Sequence, residues 1–174
     1  MATCAITSGY AIGCRDSVGG IDAEFFIEFD NIVSIADSSG TVTGITKVTG
    51  KRFYKFEVPT KSTATASSNP QPSTENGTFF YEQSVTLPVN KRDATTRNIV
   101  TTLAKNKVVI VTKDKDGTYR MYGKEYGMYL EPSTGSTGAA AGDANGYALT
   151  FAGVEKEDFF VVAANVASAL ETAG

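Results

Sequence analysis

The sequence predicts a mainly β fold: a two-sheet β-sandwich or partly closed barrel, with one flanking α-helix (about 91–105) and one long hairpin (about 56–88). Three observations predict it. Aromatic and β-branched runs such as "EFFIEF", "RFYKF" and "KVVIV" alternate or fill strand-length windows. Gly, Asn, Asp and Ser clusters punctuate them as turns. A single stretch in the middle of the chain changes to helical spacing. Sheets must bury one face, so two layers or a partly closed barrel follow, with the helix over an open side. A chain of 174 residues suits one domain with one sizeable core.

The first strand signal is "IDAEFFIEFDNIVSIAD", where Phe25, Ile27 and Phe29 alternate with Glu24, Phe26, Glu28 and Asp30. This predicts one buried and one mostly polar face. A turn at "SSG" (38–40) leads to "TVTGITKVTG", and a turn at 49–51 leads to "KRFYKFEVP". There Phe53 and Lys55 share one face, and Tyr54, Phe56 and Val58 the other. The Ser/Thr/Asn/Pro-rich stretch "TKSTATASSNPQPSTENGT" reads as a polar, mobile hairpin tip. Pro70 and Pro72 remove backbone donors and are expected to break the ladder locally.

"TFFYEQSVTLPV" is a long strand. In "NKRDATTRNIVTTLAKNK", Thr96, Ile99, Val100 and Leu103 fall at helical spacing. Asn90 is the expected N-cap, with Asp93 three residues on, and Asn106 the expected left-handed terminator. "KVVIVTKDKDGTYRMYG" predicts a hairpin around Asp116-Gly117, with Val109 and Val111 on one face and Val108 and Ile110 on the other. A short strand, a Gly/Ser/Thr/Ala loop and the strand "YALTFAGVE" follow. The organisation expected is one domain over 1–174, with an N-terminal arm of about 1–20 and a C-terminal arm of about 160–174.

Composition narrows the chemistry. Histidine is absent, which excludes His-based triads, Cys-His dyads and the commonest nitrogen ligand for zinc. Cys4 and Cys14 are the only thiols, and Asp16 offsets any activation of Cys14 by Arg15. "GDANGY" (142–147) and "DKDG" (114–117) lack the alternating ligands and closing Glu of a calcium loop and read as turns. Glu155, Glu157 and Asp158 read as a solvated edge. No catalytic residue, metal site or cofactor is expected, and the chain reads as a non-enzyme.

A net charge of -3 argues against a dedicated nucleic-acid binder but allows a surface past which DNA moves without sticking. "YAIGC" imitates a lipoprotein cleavage site, but no Lys or Arg precedes Cys14 and polar residues interrupt the apolar run. No apolar run approaches the roughly 20 residues needed to cross a bilayer, so no membrane anchor is expected.

Three stretches then converge: "SGYAIGCRDSVGGI" at the start, "LAKNKVVIVTKDKDGTYRMYG" in the middle and "TGAAAGDANGYALTFAGVEKE" near the end. Together they resemble the small tail-tube (major tail) proteins of tailed bacteriophages, of the kind found in phages infecting Bacteroidetes. The resemblance covers most of the chain, least well 60–77 and the last dozen residues. It implies a two-sheet β fold with a flanking helix. It implies hexameric rings that stack into a tube through which genomic DNA passes without specific binding. It also implies other phage tail proteins as partners, synthesis in the bacterial cytoplasm and a place in the virion tail, with contacts made by extended loops and terminal arms. The candidate interface residues are Tyr10, Ile12, Arg15 and Asp16 in the N-terminal arm and Asn69, Pro70, Gln71 and Pro72 in the hairpin. The competing expectations are a monomeric ligand- or carbohydrate-binding β-module, or another virion part such as a capsid decoration or head-tail connector protein.

Overall fold

The computed structural model describes residues 6–171. It contains two sheets and two helices, arranged as a sandwich without a closed barrel. The seven-stranded sheet A has the order β2 (Ile32–Ser38), β3 (Thr41–Lys47), β12 (Phe160–Val162), β8 (Tyr119–Tyr122), β7 (Val108–Asp114), β1 (Ile21–Glu28), β4 (Tyr54–Glu57). Sheet B has the order β10 (Thr134–Ser136), β11 (Gly146–Glu155), β6 (Thr78–Asn90), β5 (Thr65–Ser73), with β9 (Tyr129–Leu130) also paired to β11. The helices are α1 (Ala94–Lys105) and α2 (Ala164–Glu171).

Sheet A is apolar on both faces. Ala23, Phe25, Ile27, Val109 and Val111 pack into one core cluster, with Val166, Ala167 and Leu170 of α2. Phe26, Val108 and Ile110 point the other way and meet Val85, Leu87, Leu149 and Phe151 of sheet B. Val108–Val111 follow the expected two-faced pattern. β1 departs from it: the face of Glu24 and Phe26 is buried, because sheet B covers it.

The C-terminal arm expected at about 160–174 is a correction. Phe160–Val162 form β12, which fills the gap between β3 (parallel) and β8 (antiparallel). α2 then lies on sheet A through Val166, Ala167 and Leu170. The Glu171 carboxylate fixes its end, accepting from Tyr119 Oη at 2.6 Å, Lys113 Nζ at 2.9 Å and Lys55 Nζ at 3.0 Å. Residues 172–174 lie outside the described residues.

Two details of α1 also differ from expectation. Asp93, not Asn90, is the N-cap: its Oδ1 accepts from Thr96 N at 2.7 Å. Asn90 is still in β6, opposite Gly146. Asn106 ends the helix in extended rather than left-handed backbone, with its amide donating to Glu28 Oε1. Val100 and Leu103 are half-buried against the inter-sheet core, while Ile99 stays 40% exposed.

The hairpin of β5 and β6 runs in unbroken register from Thr65↔Thr86 to Ser73↔Thr78, through both prolines. The expected break does not occur because β5 is an edge strand. Proline is tolerated where the backbone N points away from the ladder, and Pro70 and Pro72, two apart, both take that side. The tip is only the turn at 74–77.

Glu155 also corrects an expectation. It is buried rather than a solvated edge residue, and it accepts from Glu125 N at 3.0 Å and Tyr126 N at 2.9 Å. Gln83 helps hold the same loop, accepting from Gly123 N at 2.9 Å. Glu24 has no such partners. Its side chain is fully buried and neither carboxylate oxygen has a hydrogen bond.

Glu24 and Glu171 titrate in opposite senses. Burial without a partner pushes Glu24 up to about 8. The folded state then holds a proton the unfolded chain has lost, so stability falls as pH rises from the ordinary carboxylate range towards 8. Urea unfolding of Glu24→Gln should be flatter than the parent across that window, by roughly 1.4 kcal/mol per pH unit. Glu171, by contrast, is held down to about 2, chiefly by its hydrogen bonds from Tyr119, Lys113 and Lys55. Its contribution is present above the unfolded carboxylate value and lost as pH falls towards 2. Glu171→Gln should cost about 1 kcal/mol at pH 7, and the deficit should vanish in acid unfolding titrations.

Candidate functional site

Among the described residues, three surfaces of the domain lack a partner. The first is the N-terminal arm. Every described residue from Ile6 to Gly20 is exposed, with Ile6, Tyr10 and Ile12 at 95%, 91% and 88%. In an extended chain Ile6, Tyr10, Ile12, Cys14 and Val18 share one side, and Gly9, Ala11, Gly13 and Gly19 lie on the other. Arg15 and Asp16 form no ion pair among the described residues. Cys14 is a free, exposed thiol, and Cys4 lies outside the described residues.

The second surface is the far half of the β5–β6 hairpin. The ladder between β6 and β11 stops at Tyr81↔Glu155, so residues beyond it pair only within the hairpin. Asn69 and Gln71 stand opposite Glu82 and Phe80, and Gln71 Nε2 donates to Glu82 Oε2 at 2.9 Å. Pro70 and Pro72 stand opposite Tyr81 and Phe79, whose rings meet edge-on at 5.1 Å. Gln71 and Pro72 therefore lie on the projecting end of the ribbon, and Asn69 and Pro70 just before it, opposite residues still paired to β11. No hydrogen bond, ion pair or ring contact links them to the arm candidates among the described residues.

The third surface is a groove at the edge of sheet A, which sequence reasoning missed. It has a volume of about 710 Å³. Phe26, Tyr54, Phe56 and Val108 face Ile99 and Leu103 across it. Its rim carries both signs of charge: Lys51, Arg52 and Lys55, with Glu28 and Glu57. β4 is the last strand of sheet A there, so its outer backbone groups have no strand partner.

Charge divides the molecule. No Lys or Arg occurs in β5, β6, β9, β10 or β11. The outward face of sheet B combines Thr65, Ser67, Asn69, Glu82, Ser84, Thr86 and Thr150 with apolar Phe80, Pro88, Ala148, Ala152 and Val154. Beside it a cleft of about 680 Å³ is lined by Glu82, Glu131, Tyr126 and Tyr129. Basic side chains flank this sheet rather than belong to its strands: Lys156 Nζ stands 5.4 Å from the Tyr126 ring centroid, and the Arg92 guanidinium 5.6 Å from that of Tyr147. Lys107 lies 3.9 Å from the Phe29 centroid and Lys124 3.9 Å from that of Phe160.

No protein-family model, no curated protein and no solved structure matches this chain.

Because the arm is fully exposed, truncating its apolar side chains should leave the domain's stability unchanged. Tyr10→Ser with Ile12→Ser should unfold within about 0.5 kcal/mol of the parent in urea, as surface substitutions do.

Proposed function

We propose that the chain is a structural subunit of a phage-type tail tube, which self-assembles into rings that stack into a conduit for genome delivery. One observation carries this reading: the strands of sheet B contain no cation, and the outward face intersperses hydroxyl, amide and carboxylate groups with apolar ones. A polyanion is retained by Lys and Arg that displace its counterions. A wall without them, bearing Glu82, lets DNA slide past. The β10 edge of sheet B and the exposed arm supply heterologous, head-to-tail contacts of the kind that close rings and stack them. The resemblance to tail-tube proteins supplies the hexameric count and the virion tail as destination.

The cleft with exposed Tyr126 and Tyr129 favours a second reading, a monomeric carbohydrate-binding module with the tyrosines as a stacking platform.

Electron microscopy and light scattering of the purified protein separate the two. Rings or tubes, and a mass far above 18.4 kDa, are expected. A strictly monomeric protein at high concentration that binds glycans would overturn the tube. A second test concerns the lumen. Tubes of Asn69→Lys with Glu82→Lys should retain nuclease-resistant duplex DNA that the parent releases, and added salt should abolish the retention. Equal release by both would place sheet B away from the lumen.

A further inference from the structure

We infer that the groove between α1 and β4 is the receptor for the N-terminal arm of a second copy of this chain, received as an added strand on β4. The inference rests on the self-assembly reading and names the contact it uses.

The arm has the pattern that strand addition needs. Its apolar residues recur on one side, and its other side is small enough for close backbone approach. Exposure of Ile6, Tyr10 and Ile12 together is costly in a lone domain, at about 25 cal/mol per Å² of apolar surface left in water. The groove offers the complement. An unpaired edge supplies backbone groups for the ladder. Tyr54, Phe56, Ile99 and Leu103 supply an apolar wall for alternate side chains. The arm carries adjacent Arg15 and Asp16, which point to opposite sides of an extended chain, and the rim carries both carboxylates and cations to receive them.

The arm does not occupy its own chain's groove, since every described residue from Ile6 to Gly20 is exposed, and the receptor is therefore another molecule's. Gly20 is held on the β7 side of β1, its carbonyl accepting from Lys115 N at 3.0 Å. The Lys115 ammonium lies over Gly20 and donates to the Thr60 carbonyl at 2.8 Å.

Two blocked variants test this in the full chain: Tyr10→Ser with Ile12→Ser in the arm, and Ile99→Glu in the groove. Thr102→Glu, exposed on the same wall, stands in if Ile99→Glu loses its circular dichroism spectrum. Each variant alone should fail to assemble. Mixed in equal amounts they retain one sound arm and one sound groove per pair, so light scattering should show a dimer and nothing larger. In the parent assembly, amides of 54–57 should exchange on the order of tenfold more slowly than in either variant. Variants that assemble like the parent, or a mixture that stays monomeric, overturn the arm contact. Parent tubes whose 54–57 amides exchange freely overturn it while leaving the tube intact. Short parent oligomers protected at 54–57 that never form rings support the contact and overturn the tube. A monomeric parent overturns both.

Discussion

The structure depends on sheet A being covered on both faces. A sheet buried on one side tolerates polar residues at every second position, whereas this one accepts almost none in its central strands. β1 and β7 meet that demand with Phe25, Phe26, Ile27 and Val108–Val111, nearly all fully buried. Deleting one of the phenyl rings would cost about 3–5 kcal/mol, a large share of the stability of a domain this size. Covering both faces requires two different lids. Sheet B serves one side. The other is covered by α2, a helix of eight residues that needs the Glu171 cluster to stay in place.

That arrangement ties the two ends of the chain together. β12 lies between β3 and β8, so sheet A is continuous only when residues 160–162 have joined it. Most of the pairing in this domain is non-local, which favours slow folding and leaves strand edges open meanwhile. Prolines on the outer edge of β5 blunt one such edge, since neither can donate to an intruding strand.

Much of the sandwich was legible in the sequence because its strands are long or regularly patterned. The turn at Ser39-Gly40, both with positive φ, and the hairpin around Gly117 are local signals and were readable as such. β12 and α2 were not. "FVV" is too short to show a period, and α2 lacks a polar cap and charged outer face that would mark it as a helix. The spacing of Val166, Ala167 and Leu170 carries the signal. The second face of β1 was hidden for another reason: Glu24 looks like a surface residue, and only the presence of sheet B makes it a buried one. The arm and the hairpin were visible through their glycine, serine and proline content. The groove was not, since Phe26, Tyr54, Ile99 and Val108 meet only after four separate elements have packed.

The projecting half of the β5–β6 hairpin has a further consequence. Past Tyr81 its two strands pair only with each other among the described residues, so no further ladder fixes its length. Inserting two residues into each strand would extend the ribbon by roughly 7 Å and return every side chain to its original face. Reach is thus an adjustable dimension of this domain, open to change by insertion in register while the sandwich beneath it keeps its sequence.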